Sequence, residues 1–229
     1  MRLLIINPNT TAAMTESVAA AARLAARPET EIVALNPSDG PPSIQGPEDG
    51  AAALPGLFAL FEAEVMEKGG YDGLIIACFD DTGLLELKDR SPIPAIGIGE
   101  AGYHAAMLAG RRFSVVTTLA VSVPVLEENI ATYGFASRCA KVRAAGVPVL
   151  DLEFARDAAE KKVVDEAARA IAEDGCDAIV LGCAGMADLA RDMRSRFGIP
   201  VVDGVAAAVA LAEALASAGL GAADRGKER

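Results

Sequence analysis

The chain is predicted to be α/β, with two similar lobes that each hold a mainly parallel sheet flanked by helices. A pseudo-twofold axis relates the lobes, and the functional cleft lies between them. Three observations predict this. Short β-branched runs alternate with alanine-rich helical stretches along the chain, the pattern of βαβ units. "GYDGLIIAC" (70–78) is echoed by "GCDAIVLGC" (175–183), with Asp72/Asp177 and Cys78/Cys183 both 105 positions apart. The flanking landmarks repeat too: "LLIIN" (3–7) answers "FSVVT" (113–117), and Ile93-Pro94 answers Ile199-Pro200.

Taken in order, Leu3–Ile6 is the first expected strand and Thr11–Ala26 the first helix. Glu31–Leu35 is β-branched and short enough for a strand, and Pro, Gly and Ser make Asn36–Pro47 a loop. Glu48–Lys68 is helical, Gly73–Ala77 a buried strand, Gly83–Asp89 a short helix and Ala95–Ile98 a strand. The second half repeats the alternation. Its helices are Glu100–Ala109, Val121–Tyr133, Phe154–Asp174, Ala187–Phe197 and Val205–Ala218. Its strands are Phe113–Thr117, Lys141–Ala145, Ala178–Leu181 and Val201–Val202. The polar tail 221–229 is expected to fray.

Composition narrows the function. The 229 residues are 52% hydrophobic and 23% charged, enough for a sizeable core. A net charge of −11 repels phosphate backbones, so nucleic acid is not an expected partner. No apolar run is long enough for a membrane span or a signal h-region, so no membrane partner is expected and the expected location is cytoplasmic. The four cysteines, Cys78, Cys139, Cys176 and Cys183, form no CxxC pair, and His104 is the only histidine. No metal site is therefore expected.

In an open parallel sheet, ligands bind beyond the carboxyl ends of the strands. Cys78 and Cys183 lie at such ends, in equivalent places of the two halves. Cys139 and Cys176 do not, and read as structural. Two thiols facing one ligand from opposite sides can invert a carbon centre: one thiolate removes a proton, and the opposite thiol returns one to the other face. Backbone N–H groups after each cysteine would hold the developing oxyanion. As starts of the following helices, they would also lower the thiol pKa values.

The stretches "INPNT" (6–10), "PPSIQG" (41–46), "IIACFDDTGL" (75–84), "FSVVTTL" (113–119), "VLGCAGMADLA" (180–190) and "GIPVVDGVAAAV" (198–209) together resemble the aspartate/glutamate racemase superfamily. Within it the chain is most similar to the hydantoin and allantoin racemases. The resemblance implies a two-lobed, homo-oligomeric enzyme without a cofactor, with Cys78 and Cys183 as the acid/base pair. It implies a first lobe of residues 1–98 onto which the last helix, 204–220, returns to pack, and a second lobe of residues 99–203. It also implies a substrate site including Asn7, Ser43, Phe79, Asp80, Thr117, Thr118, Ala184 and Gly185. Amino-acid racemases of the superfamily carry Asn-Thr and Thr-His after the two cysteines, where this chain has Phe79-Asp80 and Ala184-Gly185. Losing polar partners there points to a neutral cyclic ureide as substrate. Hydantoin and allantoin racemases more usually read Phe-Gly-Asp-Pro-Gly where this chain has Phe79-Asp80-Asp81-Thr82-Gly83.

Plainer roles stand beside these. Asn7 could cap the first helix, Thr117 and Thr118 could satisfy local backbone, and Ser43 sits in a loop of turn composition. Gly182 and Gly185 could serve close backbone approach, which also suits an oxyanion site. "GIGEAG" (97–102) matches a dinucleotide-binding glycine pattern, but the acidic residue due about 20 positions on is missing, which argues against it. His104 reads as a surface or lobe-junction residue. The leading expectation is a racemase of 5-monosubstituted hydantoins, with allantoin as the alternative substrate. A superfamily decarboxylase, a cis–trans isomerase and a two-lobed small-molecule binding protein are the other readings. Of Asp80 and Asp81, at least one is expected to turn away from the Cys78 sulfur, since an adjacent anion disfavours thiolate.

Overall fold

Four parallel strands build each of two sheets with the same internal order. The computed structural model describes residues 1–186 and 189–220. In the first sheet β1 (Arg2–Ile6), β2 (Glu31–Leu35), β3 (Gly73–Ile76) and β4 (Ala95–Gly97) run in the order β2-β1-β3-β4. In the second, β5 (Phe113–Thr117), β6 (Cys139–Ala144), β7 (Ala178–Gly182) and β8 (Val201–Asp203) run in the order β6-β5-β7-β8. The orders coincide when four is added to each strand number, so the sequence repeat is a repeat of topology. Central strands β1, β3 and β7 are apolar runs buried on both faces, as parallel sheets under helices require.

The helices are α1 (Ala12–Ala25), α2 (Pro47–Phe61), α3 (Leu84–Arg90), α4 (Ile98–Ala109), α5 (Val123–Thr132), α6 (Asp151–Phe154), α7 (Arg156–Glu173), α8 (Leu189–Phe197) and α9 (Gly204–Ser217). Two expected helices are subdivided. The 48–68 stretch is α-helical to Phe61 and then widens into a π-helical segment, Glu62–Lys68. The 154–174 stretch begins earlier, at Asp151, and breaks at Ala155, whose backbone (φ −135°, ψ 44°) leaves the helical region. The start expected at Ala187 for the next helix lies outside the described residues, as does the tail 221–229.

One core cluster runs through both lobes. It joins Leu3, Ile5 and Val18 of the first to Phe113, Val115 and Val180 of the second, through α4 and α9. Helix α9 packs on α1 and α4 and touches strands of both sheets. The buried Glu213 on α9 accepts from the Arg27 N–H (2.9 Å) and the Thr30 hydroxyl (2.6 Å), so the helix is tied to the α1–β2 connection. On one side, then, the lobes share a continuous apolar joint. The cleft opens on the other, at the carboxyl ends of the strands.

Candidate active site

Cys78 lies two residues beyond β3 and Cys183 one residue beyond β7, the paired strands of the two sheets. Both line one cavity of about 390 Å³, counting space open to solvent. Phe79, Asp80, Thr117, Thr118, Gly182 and Ala184 share its lining. Asn7, Ser43 and Gly185 do not.

Each of those three sits just behind the wall. Asn7 is buried and donates through Nδ2 to Asn9 Oδ1 (2.9 Å) and Thr15 Oγ1 (3.0 Å), so it holds Asn9, and Asn9 reaches the cleft. Ser43 is buried beside Ile44, and Ile44 is the lining residue. The Gly185 N–H donates to the Cys183 sulfur. Asn9, Met14, Ile44, Ala77, Ser122 and Val149 complete the wall without having been singled out from sequence. The motifs "INPNT" and "PPSIQG" contain two of them, one or two positions from the residues chosen.

Thr117 and Gly182 work together. The Thr117 hydroxyl donates to the Gly182 carbonyl at 3.0 Å, and a Cβ on Gly182 would lie 2.9 Å from Thr117 Cα. Glycine there lets β5 and β7 close up and brings Cys183 into the cleft.

The two carboxylates after Cys78 face different ways. Asp81 is buried, with φ at 50°, and turns its side chain to the start of α4. It accepts from the N–H groups of Gly99 (3.0 Å) and Glu100 (2.7 Å) and from Tyr133 Oη (3.0 Å). It thus caps α4 rather than the next helix, α3. This also explains "GIGEAG": a Cβ on Gly97 would meet Asp81 Oδ1 at 2.0 Å, and one on Gly99 the Phe79 carbonyl oxygen at 2.4 Å. The glycine pattern houses a carboxyl group, and that group is the chain's own Asp81, whose pKa burial pushes up to about 7 against the pull of its three donors.

Asp80 faces the cleft, and its charge raises the pKa of both thiols. The expected backbone donors do lower the thiol pKa values, the Asp80 N–H at Cys78 and the Gly185 N–H at Cys183, but burial outweighs them. Burial first, and then Asp80, push the Cys78 thiol well above its usual range, and the same two causes push Cys183 up to about 11. Cys78 does receive the Thr82 hydroxyl (3.4 Å) and the Asp80 N–H. No helix terminus adds to them, because α3 begins six residues beyond Cys78 and a single 3-10 turn, Ala184–Met186, follows Cys183. At neutral pH both thiols are therefore protonated.

Cys139 begins β6 and Cys176 lies in the α7–β7 turn, both away from the cleft lining. The exposed His104 packs edge-on against Phe135, with ring centroids 4.8 Å apart.

The sequence pattern of the Asp/Glu/hydantoin racemase family matches residues 3–212. The chain belongs to that family. A hydantoin racemase of Rhizobium meliloti is 46% identical over 96% of this chain and 90% of its own length. One from Pseudomonas sp. (strain NS671) is 39% identical over 96% and 87%. Among solved structures, allantoin racemase from Klebsiella pneumoniae superposes with a TM-score of 0.92 at 41% identity, covering 100% of this chain and 95% of that one. This family member is an isomerase of the racemase type, acting on a small molecule.

Proposed function

We propose that the enzyme inverts the C5 stereocentre of 5-monosubstituted hydantoins, without a cofactor, by proton transfer between Cys78 and Cys183. The observation that carries this reading is the charge of the cleft. Its described lining holds two thiols and one carboxylate, Asp80, and no Lys, Arg or His. A free amino acid would bring a carboxylate that finds no cation there and meets Asp80. A hydantoin is neutral, and its amide and imide groups need only hydrogen-bonding partners.

Proton removal from C5 sends charge to the C4 carbonyl, where a donor must receive it. Asn9 is placed for this. Its Oδ1 is occupied by Asn7 and by the Thr11 N–H (2.9 Å), while among the described residues its Nδ2 meets only the weak acceptor Met14 Sδ at 3.7 Å. Because the thiols rest protonated, one must ionise as substrate fills the cleft. Substrate binding offsets that cost. The thiolate then takes the C5 proton on one face, and the opposite thiol delivers its own to the other.

Enantiopure 5-isobutylhydantoin in heavy water tests the reading. Optical rotation should decay to zero faster with the enzyme than without it in the same solvent, with one solvent deuterium entering C5 per inversion. Cys78→Ala and Cys183→Ala should each lower kcat/KM by about 10²–10⁴-fold. Either variant racemising at the parent rate would overturn the two-thiol mechanism. Allantoin is the second reading, favoured by the 41% identity to an allantoin racemase across the whole fold. Its rotation should be followed alongside.

A further inference from the structure

Asp80 is held by its backbone and left open at its side chain. Its N–H donates to the Cys78 sulfur, and its carbonyl accepts from Asn129 Nδ2 at 2.8 Å. Among the described residues its carboxylate accepts one side-chain hydrogen bond, from Ser122 Oγ at 3.4 Å. A hydroxyl bound well to a carboxylate sits at about 2.5–2.7 Å. An ionised carboxylate offers roughly four acceptor positions, so most of this one's capacity is unused. The ionisable groups around it are Cys78 and its chain neighbour Asp81 from the β3 side, Cys183 from the β7 side and the buried Tyr103 from α4, none of them a cation, while Asn129 and Ser122 are uncharged. Asp81 already has its three donors. Burial pushes the Asp80 carboxyl up to about 6, which leaves it mostly ionised at neutral pH.

We propose that Asp80 reads the charge of the C5 substituent, favouring hydantoins whose side chain ends in a cation and rejecting those whose side chain ends in a carboxylate. The inference rests on the hydantoin reading and adds a substrate class to it. In a cleft whose described lining holds no competing cation, a substituent ammonium or guanidinium is the missing partner of Asp80. A substituent carboxylate would place like charges in one partly desolvated space. Neutral alkyl substituents fall between.

Three hydantoins of similar length test this, bearing 4-aminobutyl, butyl and 2-carboxyethyl groups at C5. The parent enzyme should prefer the cationic substrate over the neutral one by about tenfold in kcat/KM, and the neutral over the anionic by at least about tenfold. In Asp80→Asn, which keeps size and can keep the Ser122 contact, both ratios should collapse toward one. The ratios carry the result, whatever the variant does to the absolute rate. Flat ratios in the parent, or ratios unchanged in Asp80→Asn, would overturn the inference while turnover of all three left the hydantoin reading intact. Calorimetric affinities for the same three compounds give a second readout. Equal affinities overturn the charge preference even if no hydantoin is turned over, and absence of turnover alone counts against the proposed function.

Discussion

Asp80 occupies the cleft at a cost to the fold. Moving its carboxyl from 3.8 to about 6 means that the folded chain binds this proton more tightly than the unfolded one. Stability contributed by the protonated form is full below the unfolded value and is lost as pH rises through about 6. Each pKa unit is worth about 1.4 kcal/mol, so the loss is up to about 3 kcal/mol at neutral pH. Asp80→Asn should therefore raise the melting temperature at about pH 8 and leave it nearly unchanged at about pH 4. Thermal denaturation at the two values checks this, and an equal shift at both would show that the carboxylate's charge is not the cause. Such a gain at the expense of specificity is the usual trade at a functional site. At this scale the sequence was legible where it repeats itself. Cys78 and Cys183 stand out because two halves carry the same word. Asn9, Ser122 and Val149 do not, because they reach the cleft from three unrelated loops whose meeting no local pattern records. Asn7 was legible as important but not as a second layer, since only the packing of Asn9 in front of it decides that.

Elements explain why the Cys78 turn is rigid. The turn after β3 is clasped by the start of α4, which offers Asp81 two N–H groups, by Asn129 Nδ2 of α5, which donates to the Asp80 carbonyl, and by Tyr133 Oη at the C-cap of α5, which donates to Asp81. A first-lobe loop is thus held by helices that lead into and belong to the second sheet. Glycines 97 and 99 make the clasp possible by leaving no Cβ in its way. From sequence these glycines resembled half of a nucleotide site. The strand–helix junction was legible, but the occupant was not, because it lies 16–18 positions upstream and joins only in the fold. Gly99→Ala should push the Phe79 carbonyl and Asp81 away and carry Cys78 with them. A displacement of about 1 Å can cost roughly 10²-fold in rate, whereas overpacking of this kind typically costs about 1–3 kcal/mol of stability. Steady-state kinetics beside a denaturant titration separates the two. Wild-type kcat/KM in a folded Gly99→Ala protein would show that the clasp does not position the thiol.

At the scale of the molecule, the two sides of the interlobe joint differ in kind. The closed side is a continuous apolar core through α4 and α9, which resists movement. The mouth is bridged by polar contacts. Gln45 Oε1, in the loop before α2, accepts from the Val149 N–H at 3.1 Å, and the Ser17 hydroxyl donates to Glu153 at 3.1 Å. Ile44 and Val149 flank the first bridge and line the cleft, so the bond that closes the mouth also sets the apolar wall over the ligand. The two-lobed plan was legible because β-α alternation and the 105-residue repeat are local properties of the chain. The bridge was not, since its partners are 104 residues apart and belong to loops. A net hydrogen bond is worth about 0.5–1.5 kcal/mol, or up to roughly tenfold in an equilibrium constant. Gln45→Ala should weaken closure by that amount. KM should rise up to about tenfold while kcat changes less, because no thiol or oxyanion donor has moved. The melting temperature should shift little, since the core on the closed side is untouched. Unchanged KM would show that the mouth is held by packing alone, whereas a fall in kcat at constant KM would place Gln45 in the chemistry rather than in the closure.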